Sequence, residues 1–526
     1  MSKSAIRSAL LLPRLSGILT AILAAGFLAS LVAWLERGLR RLQERLIYPF
    51  PNDGLEGTLL HEARLVWAGE PLYRPLTRYE FVSAPYPPIH TAAVALFDQV
   101  SGPSPFWGGR LVSALAACLI ALLIILIIQL VSRSWLAAIA GAVGAIIFFT
   151  SPAVLLWASR IKPDMLAIAF AILGLLLALR GAEARPTTGR WPGDHNFGWL
   201  IGAAICFTLA FFTRQTTVMA AFAVSVALVL DDLIDYRAAR IAGVPERRPW
   251  PLRARTFAFG SLMLILAFGT WGMADLITAG QFTAHVWGLH NSEWWSLYLV
   301  QKYLLRLIPY WPSVLLAIPV LIWGWRDLRV RMLACYMLIA PITIIGAAEI
   351  SANHNHLLES HVAIGLTTGA ALAWALWAAP AKPIWLPIRV ATLAILVLQI
   401  QLTTQPQKVF EGEFKPGDPP ARFVEFIRNT PGEILADDVG LLIAAGKPIR
   451  YNDPSTMGPA ARWGIWDQSG LLEEIAQKRF SAIMLRDDVE KDPYDDVGRW
   501  TREMRAAISE HYTLKFRDKI RVYVPK

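Results

Sequence analysis

Residues 111–131 read LVSALAACLIALLIILIIQLV, from Leu111 to Val131, without one ionised side chain. About 20 apolar residues cross a bilayer as a helix, because in lipid only a helix satisfies its own backbone. Similar runs lie at 256–274, 360–380 and 390–400. The chain of 526 residues is 55% hydrophobic and only 17% charged, where a soluble domain carries roughly a quarter charged residues. These features predict a mainly α, polytopic membrane helix bundle. By the rule of roughly 20 residues per crossing, about eleven spans are expected. They fall near 14–34, 109–131, 134–152, 163–180, 197–213, 216–231, 256–278, 303–325, 331–349, 359–379 and 384–402. The run at about 15–35 lacks a small-residue cleavage site and reads as a retained first helix.

The net charge of +10 does not point to nucleic acid, because the cations sit in short loops between apolar runs. Lys3, Arg7 and Arg14 precede the first span, and Arg180, Arg185 and Arg190 follow the fourth. Arg237, Arg240, Arg247, Arg248, Arg253 and Arg255 follow the sixth, and Arg326, Arg329 and Arg331 the eighth. With the N-terminus inside, all of them fall on the cytoplasmic side, as the positive-inside rule asks. The outer side then receives the loop at about 36–108, the links around 159–164 and 213–215, the loop 280–302, the segment 350–358 and the tail after about 403. The first of these loops is basic (Arg37, Arg40, Arg41, Arg45), which suits an anionic substrate.

Two domains are expected. Residues 1–402 form the membrane domain, and 403–526 a small extracytoplasmic α/β domain. In the tail, 421–428, Leu471 to Gln477 and about 500–510 read as helices. Glu433 to Ala436, Ser481 to Arg486 and Ile520 to Val524 read as strands, with one more short strand before the last. Cys118, Cys206 and Cys335 all lie in apolar segments, so no disulfide framework is expected.

The chemistry-bearing residues collect on the outer side. Asp53 and Glu56 stand at the start of an amphipathic run expected to be helical over about 55–68. Asp53 suits a helix N-cap and Glu56 the first turn. Acids near hydrocarbon also persist where they do chemistry, so both are candidates for a general base. Ala84-Pro85-Tyr86-Pro87-Pro88 is a stiff turn or one wall of a substrate cleft, with Tyr86 a candidate contact. Arg160, Lys162 and Asp164 are either snorkelling residues or two phosphate ligands and a second acid. Arg214 and Gln215 repeat that chemistry in the next outer link.

His285, His290, His354, His356 and His361, with Glu349 and Glu359, form a last outer group. Their spacing lacks the i, i+4 pair and positioned glutamate of a zincin site. Hydrogen bonds from His354, His356 and Glu359 to a polar substrate are the better expectation. Trp287, Trp294 and Trp295 either stack on sugar or belt the interface. No Walker loop, dinucleotide fingerprint or serine elbow occurs at a fitting junction, so a donor must arrive already activated. No cofactor is expected, and no divalent-metal ligand set can be assigned.

A first span, an outer loop with acids, a helix ending Gly69-Glu70-Pro71-Leu72-Tyr73 and the Pro85–Pro88 turn resemble the GT-C membrane glycosyltransferases. The likeness is to the group containing aminoarabinose lipid A transferases and protein O-mannosyltransferases. Arg160 to Asp164, Arg214-Gln215 and Asn353 to Glu359 extend it, so that it covers about the first 400 residues in layout. The resemblance implies an inverting transferase that takes sugar from a polyprenyl-phosphate donor. The acceptor is a lipid, glycan or protein, and the setting is a bacterial inner membrane. It also implies that an acid of the first outer loop activates the acceptor hydroxyl. Relatives carry adjacent Asp-Glu there; here Glu56 matches the glutamate, Leu55 takes the aspartate's place, and Asp53 lies two residues earlier. Two other readings of the same residues are a flippase for a lipid-linked sugar and a non-catalytic membrane scaffold. Ionisable groups at span ends, rather than mid-span, disfavour the flippase.

Overall fold

Every apolar stretch expected to span carries helix in the computed structural model. It describes residues 3–182, 197–243, 251–289, 296–325, 327–348, 353–375, 386–403, 420–486, 489 and 499–526. The first helix, Lys3–Leu46, runs well past the expected end of its span. Among the described residues, five helices are long and apolar enough to cross a membrane alone: Ala21–Leu46, Trp107–Ser132, Asp164–Gly181, Ala254–Ile277 and Leu328–Ala348. The pair Ala137–Phe149 and Pro152–Ala158, bent by 74°, brings the number to six. The expected eleven crossings are therefore not confirmed by helix length.

Proline accounts for much of that difference. Pro152 opens its helix, where a missing N–H costs nothing, and starts a new direction after Thr150-Ser151. Pro309 removes an interior donor, and the chain around it tightens to a 3₁₀-helix, Leu305–Tyr310. Pro341 tightens Ala340–Ala348 in the same way, within a segment that is still long enough to cross.

Helices Trp107–Ser132, Ala137–Phe149, Asp164–Gly181 and Leu358–Ala373 form the centre of the bundle. Small residues let their backbones touch. A Cβ on Gly144 would stand 2.2 Å from the Gly365 carbonyl oxygen, so neither glycine tolerates a side chain.

The tail folds as expected in outline. Helices Pro420–Asn429, Ser469–Ala476 and Arg502–His511 accompany strands β1 (Glu433–Ala436), β2 (Phe480–Leu485), β3 (Tyr512–Arg517) and β4 (Arg521–Pro525). The sheet order is β1-β2-β4-β3, with β1 and β2 parallel and the other pairs antiparallel. Alternation along β2 sends Ile483 and Leu485 into one core and Ala482 and Met484 into the other. Two helices were not expected, Val439–Ala445 and Pro454–Arg462. The first is only 7 residues long and is capped by Asp438, too short for a periodic signal. The core on one face includes Phe81 from the segment between the helices Gly54–Trp67 and Pro88–Phe97, whose backbone bridges to Tyr451. The residues between Thr403 and Pro420, where the expected domain boundary falls, lie outside the described part.

Candidate functional site

The site starts from the helix Gly54–Trp67, close to the one expected. Asp53 is its N-cap, with extended backbone and Oδ1 accepting from the Leu55 N–H at 2.9 Å. Both readings of Asp53 hold at once, because the same carboxylate also faces two cations. Arg160 donates from Nη1 to Oδ2 at 3.1 Å, and Lys162 Nζ stands 2.9 Å from Oδ1. Burial opposes ionising Asp53, but Lys162 and Arg160 outweigh it and hold the carboxyl far below the usual range.

Glu56, the other candidate base, is engaged on both oxygens. Arg110 grips it in fork geometry, Nε to Oε1 at 3.0 Å and Nη2 to Oε2 at 2.8 Å. The Asn52 N–H donates to Oε2 at 2.5 Å and the Ile161 N–H to Oε1 at 3.0 Å. Both side chains are 0% exposed, and a carboxylate has about four acceptor positions. Glu56 therefore has none left for a substrate proton. Arg110 also donates to the Tyr48 and Phe50 carbonyls. The pair thus knots the end of the first helix, the outer-loop helix and the link at 159–161.

That link delivers the other charges. Arg160 is fully buried over the Trp157 ring, 5.1 Å from its centroid. Asp164 opens its helix, accepts from Trp157 Nε1 at 3.1 Å and is paired with Arg214. Glu359, 4% exposed, lies within electrostatic reach of Arg214, and its Oε2 has no hydrogen-bond partner among the described residues. His354 sits 6.1 Å from the Trp157 ring and 5.6 Å from that of Tyr303. Burial first, then Arg306, Arg160, His361 and Lys302, push its pKa down to about 3, so the ring is neutral.

Asp53, Arg160, Lys162, Asp164, Arg214, Glu359 and His354 thus gather at one end of the bundle. Three expected residues do not join them. Gln215 spends its amide on the Pro85 and Val286 carbonyls. Tyr86 offers its carbonyl to the Tyr73 hydroxyl at 2.8 Å and packs its ring against the Leu59–Val94 core. His356 is buried against Gly346. The histidines do not cluster: His285 bonds the outer loop and His361 stacks edge-on against Tyr310. Among the described residues no three His, Cys, Asp or Glu side chains gather as metal ligands. Trp287 is 60% exposed. His290, Trp294, Trp295 and Glu349 lie outside the described residues.

Sequence reading passed over Arg110, Trp157, His90, Glu62, Lys302 and Arg306. Arg110 did leave a signal, as a lone cation in the first turn of a very apolar helix. Glu62 left none. It is 0% exposed, neither oxygen has a hydrogen-bond partner, and burial, then the Asp453 charge, push its pKa well above the ordinary carboxyl value. The folded chain thus keeps a proton that the unfolded chain sheds above about pH 4.3. Unfolding releases that proton, so stability falls as pH rises from there. Glu62→Gln removes the titration. Its unfolding midpoint relative to wild type is expected to rise between pH 5 and pH 8; a constant difference would contradict this.

The tail closes the site from above. A Cβ on Gly57 would stand 2.1 Å from the Gly440 nitrogen, so only glycine at 57 allows this approach. Thr58 donates to the Asn452 carbonyl at 2.6 Å, and Ser83 Oγ to Asp453 at 2.9 Å. Arg486, at the carboxyl end of β2, bonds Asp438, at the carboxyl end of β1, at 3.0 Å and reaches Gly54. The carboxyl ends of parallel strands, the common ligand-facing edge of α/β sheets, are turned toward Asp53.

The fold is that of the GT-C membrane glycosyltransferases, and the chain is a multi-pass integral membrane protein. Residues 85–241 match the family described as dolichyl-phosphate-mannose-protein mannosyltransferase. No curated protein sequence matches the chain. Among solved structures, ArnT from Cupriavidus metallidurans in the apo state aligns with a TM-score of 0.58 and 13% identity, over 94% of this chain and 97% of that one. The same protein bound to undecaprenyl phosphate aligns at 0.56 with 13% identity and the same coverage. The oligosaccharyltransferase AglB from Archaeoglobus fulgidus, in complex with an inhibitory peptide and a dolichol-phosphate, aligns at 0.51 with 11% identity, over 95% of this chain and 74% of that one. The likeness read in the sequence is upheld by both comparisons.

Proposed function

We propose that the protein is an inverting glycosyltransferase that moves a sugar from a polyprenyl-phosphate donor to a lipid, glycan or protein hydroxyl on the outer face of the membrane. The observation that carries this reading is the buried set Asp53, Arg160, Lys162, Asp164 and Arg214, two acids interleaved with three cations at one bundle end. The undecaprenyl phosphate held by ArnT supports a lipid phosphate as the ligand. The loop distribution of Lys and Arg supports the outer face.

In the proposed step the acceptor oxygen attacks the anomeric carbon opposite the phosphate. The bond from that carbon to the phosphate oxygen breaks, and the acceptor proton passes to Asp53. The leaving lipid phosphate gains one negative charge, which Lys162, Arg160 and Arg214 neutralise. Asp53 is a weak base while both cations hold it. When Lys162 and Arg160 turn to the phosphate, they stabilise its charge less and its basicity rises.

The test is transfer of radiolabelled sugar from undecaprenyl-phosphate donors in proteoliposomes. Lys162→Gln and Arg214→Gln are each expected to lower kcat/KM about 10–100-fold, the loss of one charge-assisted hydrogen bond. No transfer by the wild type from any such donor overturns the reading. The tail's burial of Gly57 and Thr58 favours an integral rather than accessory tail, so deleting residues 405–526 should not leave transfer intact.

A further inference from the structure

We propose that His90 is a substrate-contacting residue that hydrogen-bonds a hydroxyl of the transferred sugar; this rests on the transferase reading above. His90 is the third residue of the helix Pro88–Phe97, whose entry is fixed by Pro87 and Pro88. Its backbone is therefore held rigidly in the first turn of that helix. The side chain is 0% exposed, and neither Nδ1 nor Nε2 has a hydrogen-bond partner among the described residues. The charges of Asp164 and Lys162 both act on it, so it lies within electrostatic reach of both ion pairs of the cluster.

His285, from the same region, shows how a purely structural histidine is treated. It too is buried, but its Nδ1 accepts from the Ala84 N–H at 3.1 Å and its Nε2 lies 2.8 Å from the Arg74 carbonyl. Both nitrogens are used. An imidazole kept for packing alone gains nothing over an apolar ring, because an unsatisfied buried donor or acceptor costs free energy. Such orphaned groups are few in folded proteins and call for an explanation.

The chemistry of the ring selects the ligand. Burial outweighs the opposing Asp164 charge and, with a smaller push from Lys162, brings the His90 pKa down to about 4, so the imidazole is neutral. A neutral imidazole offers one donor and one acceptor. That matches a sugar hydroxyl, which both donates and accepts. A phosphate, which only accepts, is better served by Lys162, Arg160 and Arg214.

The experiment compares wild type with His90→Phe, His90→Leu and His90→Gln. It measures the unfolding midpoint, binding of sugar-free undecaprenyl phosphate, and transfer from undecaprenyl-phosphate hexose and pentose donors. The apolar variants are expected to match or exceed the wild-type midpoint and to bind undecaprenyl phosphate equally. Their kcat/KM is expected to fall about 10–100-fold, mainly through KM, as when a site loses one buried hydrogen bond to substrate. His90→Gln, which keeps a donor and an acceptor, is expected to recover most of the loss. Wild-type kinetics in both apolar variants overturn the assignment of His90 alone. A wild type that transfers no sugar from any undecaprenyl-phosphate donor, hexose or pentose, overturns the transferase reading, and this role with it.

Discussion

Replacing Asp53 with asparagine is expected to lower sugar transfer by about 10²–10⁴-fold, the usual contribution of a positioned general base. The fold should survive, because asparagine is as good an N-cap as aspartate and its amide oxygen still accepts from the Leu55 N–H and Lys162, while its NH2 takes the place of the oxygen facing Arg160. The charge is what disappears. Lys162 and Arg160 then no longer share themselves with a carboxylate, so sugar-free undecaprenyl phosphate should bind more tightly to Asp53→Asn than to wild type. Slower chemistry with tighter lipid-phosphate binding is a combination that a damaged fold does not produce. Wild-type transfer rates in Asp53→Asn would remove it from the mechanism.

Glu56→Gln and Arg110→Met should fail for the opposite reason. Removing one member of a buried, fully hydrogen-bonded ion pair strands the other and costs about 3–5 kcal/mol. Native proteins have only about 5–15 kcal/mol in all. Both single variants should show a large drop in unfolding midpoint and poor recovery from membranes. Changing both partners removes the stranded charge, so the double variant should lose less than the sum of the two singles. If Glu56→Gln keeps the wild-type midpoint and loses transfer, Glu56 rather than Asp53 is the base.

These contrasting fates show what a linear reading can reach. Helix placement was legible, because apolar runs and the alternation in β2 are local patterns. The outer set was legible in part, because Arg160, Lys162 and Asp164 stand within five residues of one another. The division of labour between Asp53 and Glu56 was not. It depends on Arg110, 54 residues beyond Glu56, and on the Ile161 N–H, 105 residues beyond it. Gln215, Tyr86 and His356 looked like ligands by type and place, but three-dimensional neighbours had already claimed them. The crossing count suffered from Pro309, which breaks a helix without interrupting hydropathy.

The turn of β1 and β2 toward Asp53 bears on when in its life the molecule acquires a site. Thr58 waits for Asn452, 394 residues later, and Ser83 for Asp453, 370 residues later. β2 itself is flanked by β4, which ends at Pro525. A nascent chain that has threaded all its helices through the membrane still has an uncovered helix at Gly54–Trp67. Synthesis must run to its final strand before acid, cations and roof coexist. For the transferase proposed above, the site would thus be complete only once β4 has been made.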